Sequence, residues 1–571
     1  MAAGQTATIA PPGARTTGLH GPISDTLFGA GLAYVLTIPL LLYAARNGLS
    51  TWSADMTAAL ALFISGPHYG ATLLRVYERR TDRRKYVLFA VYATLLLAVA
   101  VSFGLRSVLI GSLLVTLYVT WSPWHFAGQN YGIALMFLRR RGVEVDPRFK
   151  RWFYVSFVFS FLLAILSIHS AASALTFAQG SSNYRVYQIL RAGIPIDVLL
   201  WVAPVVGGLY LLSLGAAARL VLRKGSPRDL LEPGLLVLTQ ALWFALPAFG
   251  AMTGAYQMLG MAFAPIWIST AHAVQYLWVT SYYAKRSSPA VPMAPFLLKA
   301  LLAGGLLMVL PSLIFAPQLL GSQVVHYADA AVLVFAGINL HHFVLDGAVW
   351  KLRDGRVASV LLRTDPGAAT GPGDLDRPGW LRPVLWAGGA FCLAAAVYLT
   401  AATWIVRSPT MPLGEVERAH RILTWLGRGD PQGCHQLAER HLQLGMLDEA
   451  IDDYRSCLRV VREQIRAKPS PLLTQRLAYL LLTVRGSDPA SLAEAERLAA
   501  YATRAAPEDV GAFELLADVH VASGDLREAQ QVTRRAIEVA RASGADARAA
   551  FLEQRLASLD AMPFAARRRA N

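Results

Sequence analysis

The chain has 571 residues, 55% of them hydrophobic and only 16% charged, which excludes an ordinary soluble enzyme, a disordered chain and a collagen-like one. Three cysteines are too few for a disulfide scaffold or for thiolate metal clusters. The formal net charge of +16 raises the question of nucleic acid, which the positions of the charges answer.

Apolar runs extend from about Ser24 to about Val406. At about 20 apolar residues per bilayer crossing they predict about eleven spans, centred near Leu36, Ile64, Leu95, Val119, Phe161, Val206, Leu242, Ile268, Leu306, Phe335 and Ala395. Residues 1–23 carry Arg15 and several prolines and glycines but no cleavage-site pattern after an apolar core, so the first helix is expected to remain. Basic residues crowd alternate loops: Arg75 to Lys85, Arg139 to Arg151, Arg223 to Arg228, Lys285 and Arg286, and Lys351 to Arg382. The opposite loops hold few. The surplus is a topology signal with some affinity for anionic lipid headgroups, not a nucleic-acid surface. It predicts a multi-pass protein of the bacterial inner membrane with a cytoplasmic amino terminus and an extracytoplasmic carboxyl terminus.

Beyond Arg407 the composition turns to Ala, Leu, Glu, Arg and Asp. Glu449-Ala450, Glu494-Ala495 and Glu528-Ala529 recur there, and Ala495 and Ala529 stand 34 residues apart. With these alanines in register, the first unit carries Leu437, Ala438, Gly445, Ala450, Tyr454 and Cys457, and the last carries Phe513, Leu516, Ala517, Gly524, Ala529 and Ala536. This arrangement of small and large residues resembles the tetratricopeptide repeat. Ala438 and Ala517 stand where that family has glycine, Cys434 where it has tryptophan, and an insertion lies around Arg485 to Pro489. A helix from about Asp546 to Leu559 is expected to cap the array. The resemblance implies a helical solenoid that binds a protein or peptide; a spacer or dimerisation module is the plainer alternative. The register brings Cys434 and Cys457 together across one helix pair, and an oxidising compartment makes a disulfide between them the expectation.

The expected domains are residues 1–23 as a cytoplasmic segment, 24–406 as the membrane bundle, 407–428 as a linker, 429–562 as the repeats and 563–571 as a basic tail. The fold class is all-α, a polytopic transmembrane bundle followed by a tetratricopeptide solenoid.

Ionisable groups inside spans are costly, and here they are mostly histidines. His68 lies in Gly66-Pro67-His68-Tyr69-Gly70, His125 in Trp121-Ser122-Pro123-Trp124-His125-Phe126, His272 on the eighth expected span, and His341 and His342 on the tenth. All four helices are expected to run the same way. Counting to the basic residues at their inner ends places the histidines within about 10 Å of one another in depth. Helical spacing adds Asn339 and Asp346 on the face of His342, Gln129 beside His125 and Gln275 beside His272. Imidazoles with one carboxylate suit iron first, and zinc or copper second. His68, His125, His272, His341 and His342 are therefore the expected metal ligands. Asp346 is the expected catalytic carboxylate, as a ligand or a base, and Gln129, Gln275 and Asn339 are the expected orienting groups. Polar interhelical bonding and an ion path are the rival readings. Trp121, Trp124, Trp267, Trp278 and Tyr276 either line an apolar channel or simply pack.

The Pro67-His68-Tyr69-Gly70 and Trp124-His125-Phe126 elements, with the later histidine helices, resemble the Brp/Blh family of membrane carotenoid-cleaving oxygenases. That resemblance implies iron, molecular oxygen and a lipophilic polyene, with His68, His125, His272 and His342 as ligands. This chain differs in having more spans, and in Tyr69 where that family has glycine. The expected function is a metal-dependent oxidoreductase, with non-haem iron as the expected metal, acting on a lipophilic substrate. A transporter, or a membrane-anchored repeat scaffold without catalysis, is the alternative.

Overall fold

The computed structural model describes residues 18–46, 59–77, 85–170, 187–246, 248, 265–287, 293–314, 327–350, 355–362, 381–464 and 469–561. The expected basic tail at 563–571 and residues 1–17 of the amino-terminal segment lie outside them. Every regular element among the described residues is helical. The chain divides into two compact units, with the boundary after Val397.

The first unit contains α1 (Leu32–Arg46), α2 (Gly66–Tyr77), α3 (Thr94–Gly104), α4 (Val108–Arg140), α5 (Pro147–His169), α6 (Ile196–Leu222), α7 (Leu231–Gln240), α8 (Pro265–Ser287), α9 (Met293–Ile314), α10 (Tyr327–Val349), α11 (Gly355–Leu362) and most of α12 (Leu381–Arg407). Five described helices are long and apolar enough to cross a membrane: Pro147–His169, Ile196–Leu222, Met293–Pro311, Val332–Val349 and Pro383–Arg407. Pro22–Gly29 and Leu32–Tyr43, bent by 55° at their junction, make a sixth if they count as one span. Two further helices, α4 and α8, are equally long, but the polar and aromatic residues expected of a site dilute their apolar character.

Local sequence explains where helices begin. In α4 the Ser107 hydroxyl accepts from the Ile110 amide, and in α5 the Asp146 carboxylate accepts from the Phe149 amide at 2.7 Å, with Pro147 supplying the first-turn φ. Glycines bring α2 and α9 into backbone contact. A Cβ on Gly70 would overlap the Ala300 carbonyl, and one on Gly304 would overlap the Gly66 carbonyl.

Residues 18–25 of the amino-terminal turn pack into this unit. Asp25 is buried and accepts from the amides of Leu19 (2.8 Å) and His20 (3.0 Å) and from the Trp278 indole (3.0 Å) on α8. The Gly21 amide is a fourth donor at 3.3 Å, and a buried carboxylate held in this way ties the turn to a site-bearing helix.

The second unit holds the end of α12, then α13 (Leu413–Trp425), α14 (Pro431–Gln443), α15 (Leu447–Arg459), α16 (Pro471–Arg485), α17 (Pro489–Ala505), α18 (Val510–Ser523), α19 (Leu526–Ala542) and α20 (Asp546–Asp560). Consecutive helices from α14 to α20 pack on one another. Asp430, Ser470 and Asp488 cap helices that start with proline, and Gly445 and Gly524, at φ 74° and 82°, allow the tight turns that follow α14 and α18. Ala438, Ala450, Ala478, Ala495 and Ala529 are buried and let the helices approach closely. The segment 407–428, expected as a linker, contains α13, because Val416, Ala419 and Leu423 repeat at three and four residues and all are buried.

Cys434 and Cys457 form a disulfide between the first turn of α14 and the last turn of α15, with Cα atoms 5.7 Å apart and a sequence separation of 23 residues. Closing a loop of that size is worth about 3 kcal/mol. The Cys434→Ala/Cys457→Ala chain is therefore expected to unfold at a lower temperature than the parent in thermal melts of the second unit's helical signal. An unchanged melt would contradict the stabilising role.

Candidate metal centre

Each site helix repeats one arrangement, a histidine followed four residues later by a polar group on the same face. On α2 the pair is His68 and Thr72, on α4 His125 and Gln129, on α8 His272 and Tyr276, and on α10 His342 and Asp346. The histidines meet one another, and so do the residues one turn on, which makes α2, α8 and α10 parallel. His125 meeting His272 and Gln129 meeting Gln275 extends the same direction to α4.

The four imidazoles close a ring. Their centroids are 5.0 Å apart for His68 and His272, 4.9 Å for His272 and His125, 5.0 Å for His125 and His342, and 4.2 Å for His342 and His68. The Nε2 atoms of His68, His125 and His342 and both ring nitrogens of His272 are buried without a hydrogen-bond partner. Each unmet buried polar atom costs about 1–3 kcal/mol, and such atoms gathered at one point call for a shared partner.

Two overlapping sets could hold a metal ion: His68, His272 and His342, and His125, His342 and Asp346. Within each set the ligand atoms lie within 4.8 Å of one another. Metal–nitrogen bonds of about 2.1 Å put opposed ligand atoms about 4.2 Å apart, so shifts of a few tenths of an ångström close either set. The donors present fit an imidazole- and carboxylate-preferring ion.

Asp346 divides its two oxygens. Oδ1 accepts from the Tyr276 hydroxyl at 2.8 Å and the Thr72 hydroxyl at 3.2 Å. Oδ2 faces His342 Nε2 at 3.3 Å and His125 Nε2 at 3.9 Å. Thr72 Oγ1 is also 3.0 Å from His342 Nδ1, and the Trp350 indole donates to the Tyr276 hydroxyl at 3.0 Å. When Thr72 donates to Asp346 it accepts from His342 Nδ1–H, which leaves the lone pair of His342 on Nε2, facing the ligand sets.

The structure does not bring every expected residue here. His341, the residue before His342, points about 100° away around α10, and its Nε2 lies 2.7 Å from the Thr94 hydroxyl and 3.4 Å from that of Tyr77, outside both ligand sets. It is corrected from a ligand to a helix-linking residue. The three amides also act differently from expectation, since none touches an imidazole nitrogen. Gln129 donates to the His272 carbonyl at 3.1 Å and to Gln275 at 3.2 Å, Gln275 donates to the Gly29 carbonyl at 3.4 Å, and Asn339 accepts from the Tyr69 hydroxyl at 2.7 Å. They fix helices and Tyr69. Thr72 and the hydroxyl of Tyr276 are the groups that sequence reasoning passed over, although the recurring four-residue step from each histidine marks both.

Beside the centre lies a cavity of about 310 Å³ whose wall includes Trp121, Trp124, His125, Phe343, Asp346 and Trp350. Of the other expected channel aromatics, Tyr276 also lines it, whereas Trp278 is spent on Asp25. No family model, curated protein or solved structure matches this chain, so the chemistry of these residues is what speaks to its function.

Proposed function

We propose that this is a membrane-embedded, metal-dependent oxidoreductase acting on a lipophilic substrate, with iron as the metal and zinc or copper as the alternatives. The observation that carries the reading is the ring of four imidazoles with unpartnered nitrogens, two of which, on His342 and His125, face the buried Asp346 Oδ2. His68, His125, His272, His342 and Asp346 would hold the ion. Bound iron supplies one-electron redox chemistry with molecular oxygen. The protein's own contribution is to hold the imidazoles in parallel register, to keep Asp346 Oδ2 free by occupying Oδ1, and to line the approach with aromatic rings that keep water out.

The bundle is read as about eleven spans in a bacterial inner membrane, supported by the alternation of basic loops. The helices from α14 onward are read as tetratricopeptide units that bind a protein or peptide outside the cytoplasm. The Cys434–Cys457 disulfide supports an oxidising compartment for them.

The test is turnover. Protein in nanodiscs, incubated with a lipid extract with and without oxygen, is expected to give a product that needs both oxygen and the bound metal, and to lose it after chelation. An extract unchanged by metal-loaded protein in air would overturn the oxidoreductase reading. Tyr276→Phe removes one donor to Asp346 without removing a ligand, and is expected to weaken metal affinity by about 10–100-fold in a chelator competition. Parent-like affinity would show that the Tyr276 hydroxyl does not orient the carboxylate.

A further inference from the structure

The cavity beside the metal centre is a groove with two unlike ends. From His125, α4 turns Gly128, Gln129, Gly132 and Met136 toward it, at steps of three, four, seven and eleven residues, so this wall runs about 16 Å along one helix face. A Cβ placed on Gly128 or Gly132 meets nothing within 4 Å, and neither does one on Gly347 across the groove. The missing side chains are the space. Polar groups gather at the metal end, where His125, its side chain 9% exposed, and Asp346 line the groove and the buried His125 Nε2 has no hydrogen-bond partner. Gln129 uses its amide on His272 and Gln275, and the far end is bounded by Met136, Val279 and Leu361, all buried and all apolar. Trp124, Gly128 and Gly347 are exposed, which places the groove's opening along the side of the unit.

We propose that this groove receives the hydrocarbon chain of a lipid, entering past Trp124 and Gly128, with its end seated against Met136, and that Gly128 and Gly132 set how much chain passes the metal. The inference rests on the metal-centre reading for the choice of reacting end. A floor without side chains between aromatic walls accepts a narrow, unbranched chain, and its apolar far end gives no partner to a headgroup. Gly132 then fixes the position along the chain that is presented to His125 and Asp346.

The full chain in nanodiscs would be photolysed with a long-chain fatty acid carrying a diazirine at its methyl end, the adducts mapped by peptide mass spectrometry, and metal measured on the same samples. Wild type is expected to label at Met136, Val279 or Leu361, and unlabelled fatty acid is expected to compete the adducts away. In Gly132→Leu the adducts at Met136 should fall about tenfold and move toward Trp121 and Trp124, with metal content unchanged. Gly128→Leu should reduce deep labelling as well, which guards against misfolding of one variant. Equal labelling of Met136 in wild type and in both variants would overturn the proposal, as would adducts confined to exposed residues such as Leu211 and Leu212. Deep labelling without metal in wild type would support the groove and sink the metal-centre reading. Bound metal without deep labelling would sink the groove alone.

Discussion

Replacing His342 with alanine is expected to lower metal affinity by more than about a hundredfold, while the same change at His341 leaves metal content at the parent level. His342 belongs to both ligand sets, so its loss breaks both, whereas loss of any other histidine leaves one set intact. Changes to residues that only orient a ligand already cost about 10–100-fold, which is why removal of a shared ligand should exceed that range. His341 differs by one position but hydrogen-bonds to Thr94 on α3. Its alanine variant should lose some stability, about 1 kcal/mol for the bond, and no metal. Chelator competition on both purified variants, beside size-exclusion profiles that report folding, measures the difference. Equal loss of metal in the two variants would show that α10 turns His341 as well as His342 toward the centre.

Gly70→Val is expected to destabilise the first unit by about 3 kcal/mol and to empty the centre. The position where its Cβ would sit is taken by the Ala300 carbonyl, which is helix backbone and cannot swing aside as a side chain could. Separation of α2 from α9 is the only relief, and His68, two residues before Gly70, moves with α2. Gly208→Val on α6 is the control, because a Cβ there meets nothing within 4 Å. Thermal stability by size exclusion should fall for Gly70→Val and remain for Gly208→Val. A Gly70→Val protein with parent stability and parent metal would show that the helices do not touch at this point.

The four histidines that form the ring were readable from the chain, since an ionisable group in an apolar run stands out without any knowledge of packing. His341 was not separable from His342 in the same way. Adjacent helical residues point about 100° apart, and which one faces the bundle depends on a helix rotation set by distant contacts. The amides failed for a related reason: Gln129 and Asn339 share a face with a histidine, yet a long side chain chooses its partner from neighbouring helices, here the His272 carbonyl and Tyr69. Thr72 by itself carries no such mark, because threonine in an apolar helix is ordinary and only its proximity to Asp346, 274 positions later, gives it a role.

In the second unit, Asp-Pro and Ser-Pro starts mark α14, α16 and α17 directly, and Gly445 and Gly486 mark the stops of the first two while Pro507 follows the third. The short helix α13 was equally visible in the spacing of Val416, Ala419 and Leu423, but its polar flanks read as a linker. Nothing near Asp25 in sequence announces its burial, because one of its donors is the Trp278 indole, 253 residues away.

The most direct test of the central claim is metal content per chain of the purified full-length protein, expressed with iron, zinc and copper all available and read together with an X-ray absorption spectrum at the edge of the metal found. About one or two ions per chain are expected, iron foremost, with the scattering pattern of several imidazole ligands. Protein that is folded, monodisperse and free of metal under those conditions would contradict it.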